Sequence, residues 1–177
     1  MKKVTKILSL GILFLFACTL QLSAQKCKFN YNKTDPFTGE ATKGISFKVK
    51  PKEIAYGIMG FNKVGNTYHF ELNNLSCWGD LRIIIQKGDP ILIKLSNGEM
   101  ITVTSKDEIR PTALANVGGG VTSRYTGLYD IDAVSLQKIA ENPPTFIRIQ
   151  IGSKVYNEEF SSGLGKQIAQ AAACILQ

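Results

Sequence analysis

Apolar and polar residues alternate with period two along much of this chain, and that pattern, broken by glycine, asparagine and proline, most constrains how it can fold. Ile45, Phe47 and Val49 alternate with Ser46, Lys48 and Lys50, and Tyr68, Phe70 and Leu72 with Thr67, His69 and Glu71. Successive side chains of a strand point to opposite faces, so each run describes a strand with one dry and one wet face. Pro51 ends the first run, and Gly65-Asn66 turns into the second. Between them, Ile54 to Phe61 is apolar but carries Gly57 and Gly60, the mark of a bulged strand or of close backbone approach. Leu81 to Gln86, Ile91 to Leu95 and Met100 to Thr104 are separated by Lys87-Gly88-Asp89-Pro90 and Ser96-Asn97-Gly98-Glu99. Asn97 and Gly98 both tolerate the positive φ of a type I′ hairpin turn, and the spacing predicts a three-stranded meander from Leu81 to Ser105.

Further along, Val121 to Ile131 reads as a strand. So does Ile147-Ile149-Ile151, alternating with Phe146, Arg148 and Gln150, followed by Lys154 to Phe160. The intervening Lys106 to Gly120, with Pro111 and Gly118-Gly119-Gly120, reads as a hairpin loop. A phosphate-cradling glycine loop needs a helix after it, and here a strand follows. Asp132 is a suitable N-cap for a helix over 133–141 whose Leu136, Ile139 and Ala140 form one stripe, stopped by Asn142-Pro143-Pro144. Leu164, Ile168, Ala171, Ala172 and Ile175 recur at spacings of three and four, which predicts a second helix over 164–176 started by Ser161 or Ser162. Together these elements predict an α+β domain: a largely antiparallel sheet of about eight strands with two helices packed on one face. A barrel-like or sandwich core with a helical cap is the alternative.

The first 24 residues have the order of a secretory signal peptide: Lys2, Lys3 and Lys6, then the apolar stretch Ile7 to Phe16, then Leu22-Ser23-Ala24 before Gln25. The apolar stretch is too short for a spanning helix, which needs about 20 residues. The reading is a signal at 1–24 and a single domain at 25–177, exported to the periplasm or beyond, with no transmembrane helix in the mature chain. Leu15-Phe16-Ala17-Cys18 is a second processing signal, under which acyl chains on Cys18 would tether the protein to a membrane. Removing the three signal lysines leaves 18 basic against 14 acidic residues, a mild excess that favours anionic envelope components. Nucleic acid is excluded as a partner by the single, scattered basic residues and by export.

Cleavage after Ala24 leaves Cys27, Cys77 and Cys174, which in an oxidising compartment form one disulfide and leave one thiol. Cys27 with Cys77 is the preferred pairing, because Cys174 sits in an alanine-rich helical stretch where a thiol packs as a small apolar group. Cys27 with Cys174 is the rival.

A cysteine just after cleavage, then Asp35-Pro36-Phe37-Thr38-Gly39, then Cys77 before an isoleucine-rich hairpin, then Leu136-Gln137-Lys138-Ile139-Ala140 before Phe146-Ile147-Arg148-Ile149, form a spaced set. In this the chain resembles a group of short exported bacterial proteins of unassigned function. The resemblance implies export and carries no activity with it.

Few residues here suit catalysis. His69 is the only histidine, which excludes multi-histidine metal centres, so no metal or cofactor is expected. Glu71, two residues along the strand, is placed to orient the imidazole, and Cys77 is a conceivable nucleophile. Asp130 and Asp132 form a possible carboxylate pair, although Asp132 has its capping role. Asp35-Pro36-Phe37-Thr38-Gly39 is a turn by its chemistry, with Phe37 packed or presented to a partner. The binding candidates are therefore Asp35, Phe37 and Trp78. The expected function is non-catalytic binding of an envelope glycan, lipid or protein. The alternatives are a small hydrolase using carboxylates such as Glu71 or Asp80, and an inhibitor or assembly partner acting through a strand edge.

Overall fold

A computed structural model describes residues 27–49, 56–79, 81–115 and 120–177. The expected signal segment with Cys18, and also Asp80 and Gly118-Gly119, lie outside the described residues. The elements in chain order are β1 (Tyr31–Thr34), β2 (Ala41–Val49), β3 (Tyr56–Val64), β4 (Thr67–Trp78), β5 (Pro90–Leu95), β6 (Met100–Ser105), β7 (Thr112–Ala115), β8 (Val121–Asp130), α1 (Ala133–Glu141), β9 (Pro144–Ile151), β10 (Lys154–Glu159) and α2 (Ser162–Leu176). The fold is α+β, as the alternation predicts, with ten strands among the described residues rather than eight. All pair antiparallel in the order β1-β2-β3-β4-β8-β6-β5-β9-β10, and β7 lies beside β8.

Cross-strand partners share a face, so register sorts the side chains. Phe47, Phe61, Phe70 and Tyr129 form an aromatic ladder across β2, β3, β4 and β8, with successive ring centroids 5.9, 5.7 and 6.3 Å apart. This is the core face. Two helices pack into the same core. Leu136 and Ile139 of α1 and Ile168, Ala171, Ala172 and Ile175 of α2 are buried there. The second helix touches β2 and β3 from one half of the sheet and β9 from the other, bridging the two. Its small residues permit the approach: a Cβ on Gly165 would stand 2.5 Å from the Pro144 carbonyl oxygen. Both predicted caps form, with Asp132 accepting from Ser135 N and Ser161 from Leu164 N.

Two expectations are corrected. Leu81 to Gln86 is not the first strand of a meander, because β5 already pairs β6 on one edge and β9 on the other. The segment instead makes the single bridge Ile85 to Ile109, and Ile109 packs over Gly127, where a Cβ would meet it at 2.2 Å. The disulfide joins Cys27 to Cys174 rather than to Cys77. Cys77 is a free thiol buried on the core face of β4, and helical placement brings Cys174 to the start of the domain.

Candidate functional site

Opposite the core, the sheet's second face carries a row of cross-strand partners: Tyr31, Gly44, Asn62, His69, Asp130 and Thr104, contributed in turn by β1, β2, β3, β4, β8 and β6. Two polar assemblies are built on it. The first centres on Glu71, which is 7 % exposed. Its Oε1 accepts from the Tyr31 hydroxyl at 3.0 Å and from Asn62 Nδ2 at 2.5 Å, and its Oε2 accepts from Asn73 Nδ2 at 3.1 Å. Asn73 reaches back because β4 bulges there, its register with β3 shifting opposite Ile58 and Met59. Tyr31 reaches Glu71 because Gly44 leaves room for its ring. Burial and the neighbouring carboxylate push the Tyr31 phenol up to about 12. With three donors on its oxygens, Glu71 is a structural acceptor.

The second assembly is a cleft of about 670 Å³ at the end of the sheet where β4 begins and β8 hands over to α1. His69, Asp130, Lys106, Thr67, Thr102 and Ser135 are among the residues of its wall. His69 is 4 % exposed. Its Nδ1 stands 3.4 Å from Asp130 Oδ1, but the geometry is not that of a hydrogen bond, and Nδ1 has no other partner. Desolvation first, and then the Lys106 ammonium, hold the imidazole below its ordinary pKa against the pull of Asp130, so it is neutral at neutral pH. One carboxylate oxygen of Asp132 is engaged with Ser135 N at 2.6 Å. The walls thus offer hydroxyls, a carboxylate, an ammonium and a neutral ring within one opening.

The expected pairing of His69 with Glu71 is replaced by one with Asp130. Cys77 is on the opposite face, its thiol pushed up by burial, so it is no partner for His69. Asp130 and Lys106 are the residues a linear reading misses as companions of His69. Their only signal was position, as polar residues at the borders of strand-like runs.

Asp35, Phe37 and Trp78 are not brought together. The Asp35 carboxylate accepts from Phe37 N at 2.7 Å and Thr38 N at 3.0 Å, bonds that hold its pKa below the ordinary value. Gly39 closes the loop at φ +72° and donates from its N to Asp35 O. Phe37 projects from this turn 96 % exposed. Trp78, 63 % exposed, is at the far end of β4, which at the strand rise places it roughly 30 Å or more from the Phe37 turn. Among the described residues, no cluster of three or more His, Cys, Asp and Glu side chains is disposed to hold a metal ion, and no helix is long and apolar enough to cross a membrane.

Comparison with protein-family models, curated proteins and solved structures finds no match for this chain.

Proposed function

We propose that the chain is an exported, non-catalytic binding protein of the bacterial cell envelope, taking an uncharged, hydroxyl-rich ligand of the glycan class in the cleft at His69. One observation carries the reading: in the wall of an open cleft, the neutral His69 imidazole keeps its Nδ1 buried beside Asp130 without a hydrogen bond. A buried polar atom without a partner costs about 1–3 kcal/mol, and a turn of the ring that brings Nδ1 to a ligand hydroxyl recovers that cost. In the same wall, the Asp130 carboxylate can accept from ligand hydroxyls and the Lys106 ammonium can donate to them, so the two charges together favour no net charge on the ligand. The terminal disulfide and the signal-like start fit an oxidising compartment.

Because His69 is the only imidazole, its Cε1–H resonance in the exported protein is a clean reporter. Titration with a digest of envelope glycan, then with defined neutral oligosaccharides, is expected to move it saturably. Asp130→Asn is expected to weaken the response roughly tenfold. A resonance that stays still with every sugar at millimolar concentration would falsify the reading.

The carboxylate hydrolase finds no support in Glu71, which its three donors occupy. The edge-strand partner has one observation in its favour, since β1 and β10 end the order of described strands. Stoichiometric recovery of one envelope protein, lost on Asn157→Pro in β10, would favour it over the cleft.

A further inference from the structure

The positive charge of the domain is unevenly placed. Between Gln25 and Val64 stand eight lysines and three acidic residues, whereas from Gly65 to Gln177 ten basic residues are balanced by eleven acidic ones. The excess thus belongs to the segment that contains β1, β2 and β3. Within it, Lys33 lies beside the Phe37 turn, paired with Thr42, and Lys43 is directly opposite Lys63. Register places Lys33 on the second face and the other two on the core face, so lysines flank the hairpin end from both sides. Like charges directly opposite each other on a sheet repel. Lys43 and Lys63 rest over the Phe29 and Tyr68 rings, and no described carboxylate forms an ion pair with either.

Phe37 at the tip serves no packing role, being 96 % exposed, yet its backbone is fixed. Asp35 binds the N–H groups of Phe37 and Thr38, and Asp35 N donates to Glu40 O at 2.9 Å. A hydrogen-bonded turn that presents one aromatic ring, with the Asp35 carboxylate held by its own backbone, Glu40 beside it and three lysines behind, combines the two elements of interfacial membrane binding: an apolar group for the acyl boundary and cations for the headgroups.

We propose that the β1–β2 hairpin docks this protein on an anionic lipid bilayer, Phe37 entering the interface and Lys33, Lys43 and Lys63 facing the headgroups. Membrane docking by this hairpin is independent of the cleft at His69. An acidic polysaccharide would also answer to the lysines, but it gives the projecting ring no apolar medium to enter. That favours the bilayer.

The test uses the exported protein with Cys18→Ser, so that no acyl anchor can form. Vesicles are of phosphatidylcholine alone or with about 30 % phosphatidylglycerol, an anionic content that attracts basic surfaces. Co-sedimentation is expected only with the anionic vesicles and is expected to weaken as salt is raised. Phe37→Ala, which leaves the turn's hydrogen bonds in place, is expected to lower the partition roughly tenfold, and Lys33→Ala about fivefold. With Phe37→Trp and Trp78→Phe combined, tryptophan emission is expected to shift to the blue on anionic vesicles, whereas Trp78 in the otherwise unchanged protein is expected to stay silent. Equal binding to both vesicle types, or Phe37→Ala binding as well as the parent, overturns the proposal. Displacement by soluble dextran sulfate, with Phe37→Ala unaffected, overturns it in favour of an acidic glycan.

Discussion

Tyr31 passes over Gly44 to donate its hydroxyl to Glu71 at 3.0 Å, coupling the edge strand β1 to the centre of the sheet. A Cβ on Gly44 would lie 2.3 Å from the ring, so Gly44→Ala is expected to expel Tyr31 and strip Glu71 of one donor. Loss of that hydrogen bond costs about 1–3 kcal/mol, which denaturant unfolding would register. The phenol reports the same event. A folded pKa raised to about 12 means that the folded state holds the proton more tightly, so this contribution to stability is present below pH 10 and is lost as pH rises from 10 to 12. In Gly44→Ala, one more tyrosine than in the parent should ionise near pH 10 by ultraviolet absorption; an unchanged titration would show that Tyr31 keeps its place.

His69 carries the opposite linkage. Its folded pKa lies below the ordinary 6.5, so the unfolded chain takes up a proton first as pH falls. Stability is therefore expected to be full above about pH 6.5, to decline below it, and to level off once the folded state is protonated. Lys106→Met removes a cation that opposes protonation and should raise the pKa, while Asp130→Asn should lower it further. NMR titration of the single imidazole checks both signs, and a pKa that rises in Asp130→Asn would contradict the geometry.

The Cys27–Cys174 disulfide closes a separation of 147 positions. In the chain-entropy account so long a loop contributes roughly 5 kcal/mol, before any native-state strain. Cys27→Ser with Cys174→Ser is expected to fold with a much lower melting temperature. Intact mass after alkylation should show no modification of the native protein and one modified thiol, Cys77, once it is unfolded without reduction. Modification of Cys27 under those conditions would exclude the pairing.

Gly163 and Gly165 separate helix propensity from packing within one turn of α2. Alanine is favoured over glycine inside a helix by about 1 kcal/mol, and nothing stands within 4 Å of a Cβ at Gly163. Gly163→Ala is expected to be neutral or stabilising. At Gly165 the Cβ would meet the Pro144 carbonyl oxygen at 2.5 Å, a backbone atom that yields only if the helix shifts. There the clash outweighs the propensity gain, and Gly165→Ala is expected to lower the denaturation midpoint; equal effects at both sites would mean that α2 is free to move away from β9.

What the sequence determined by itself is what depends on neighbours along the chain. Alternation defined β2, β4 and β9, Asn97-Gly98 set the β5–β6 hairpin, Asp132 and Ser161 started the helices, and Asp35 with Gly39 built the turn that carries Phe37. These rest on local dihedral preferences and on hydrogen bonds a few residues apart, which the tertiary setting of these elements leaves intact. Tertiary structure decided every relationship that depends on which edges meet. Leu81 to Gln86 has strand composition, but β6 and β9 hold both edges of β5, so it became cover for the core. Cys174 reached Cys27 because α2 bridges the two halves of the sheet. His69 faces Asp130, 61 positions away, because β8 pairs with β4. Many strands share similar alternation and compete for the same edges, so the choice among pairings follows from the packed whole.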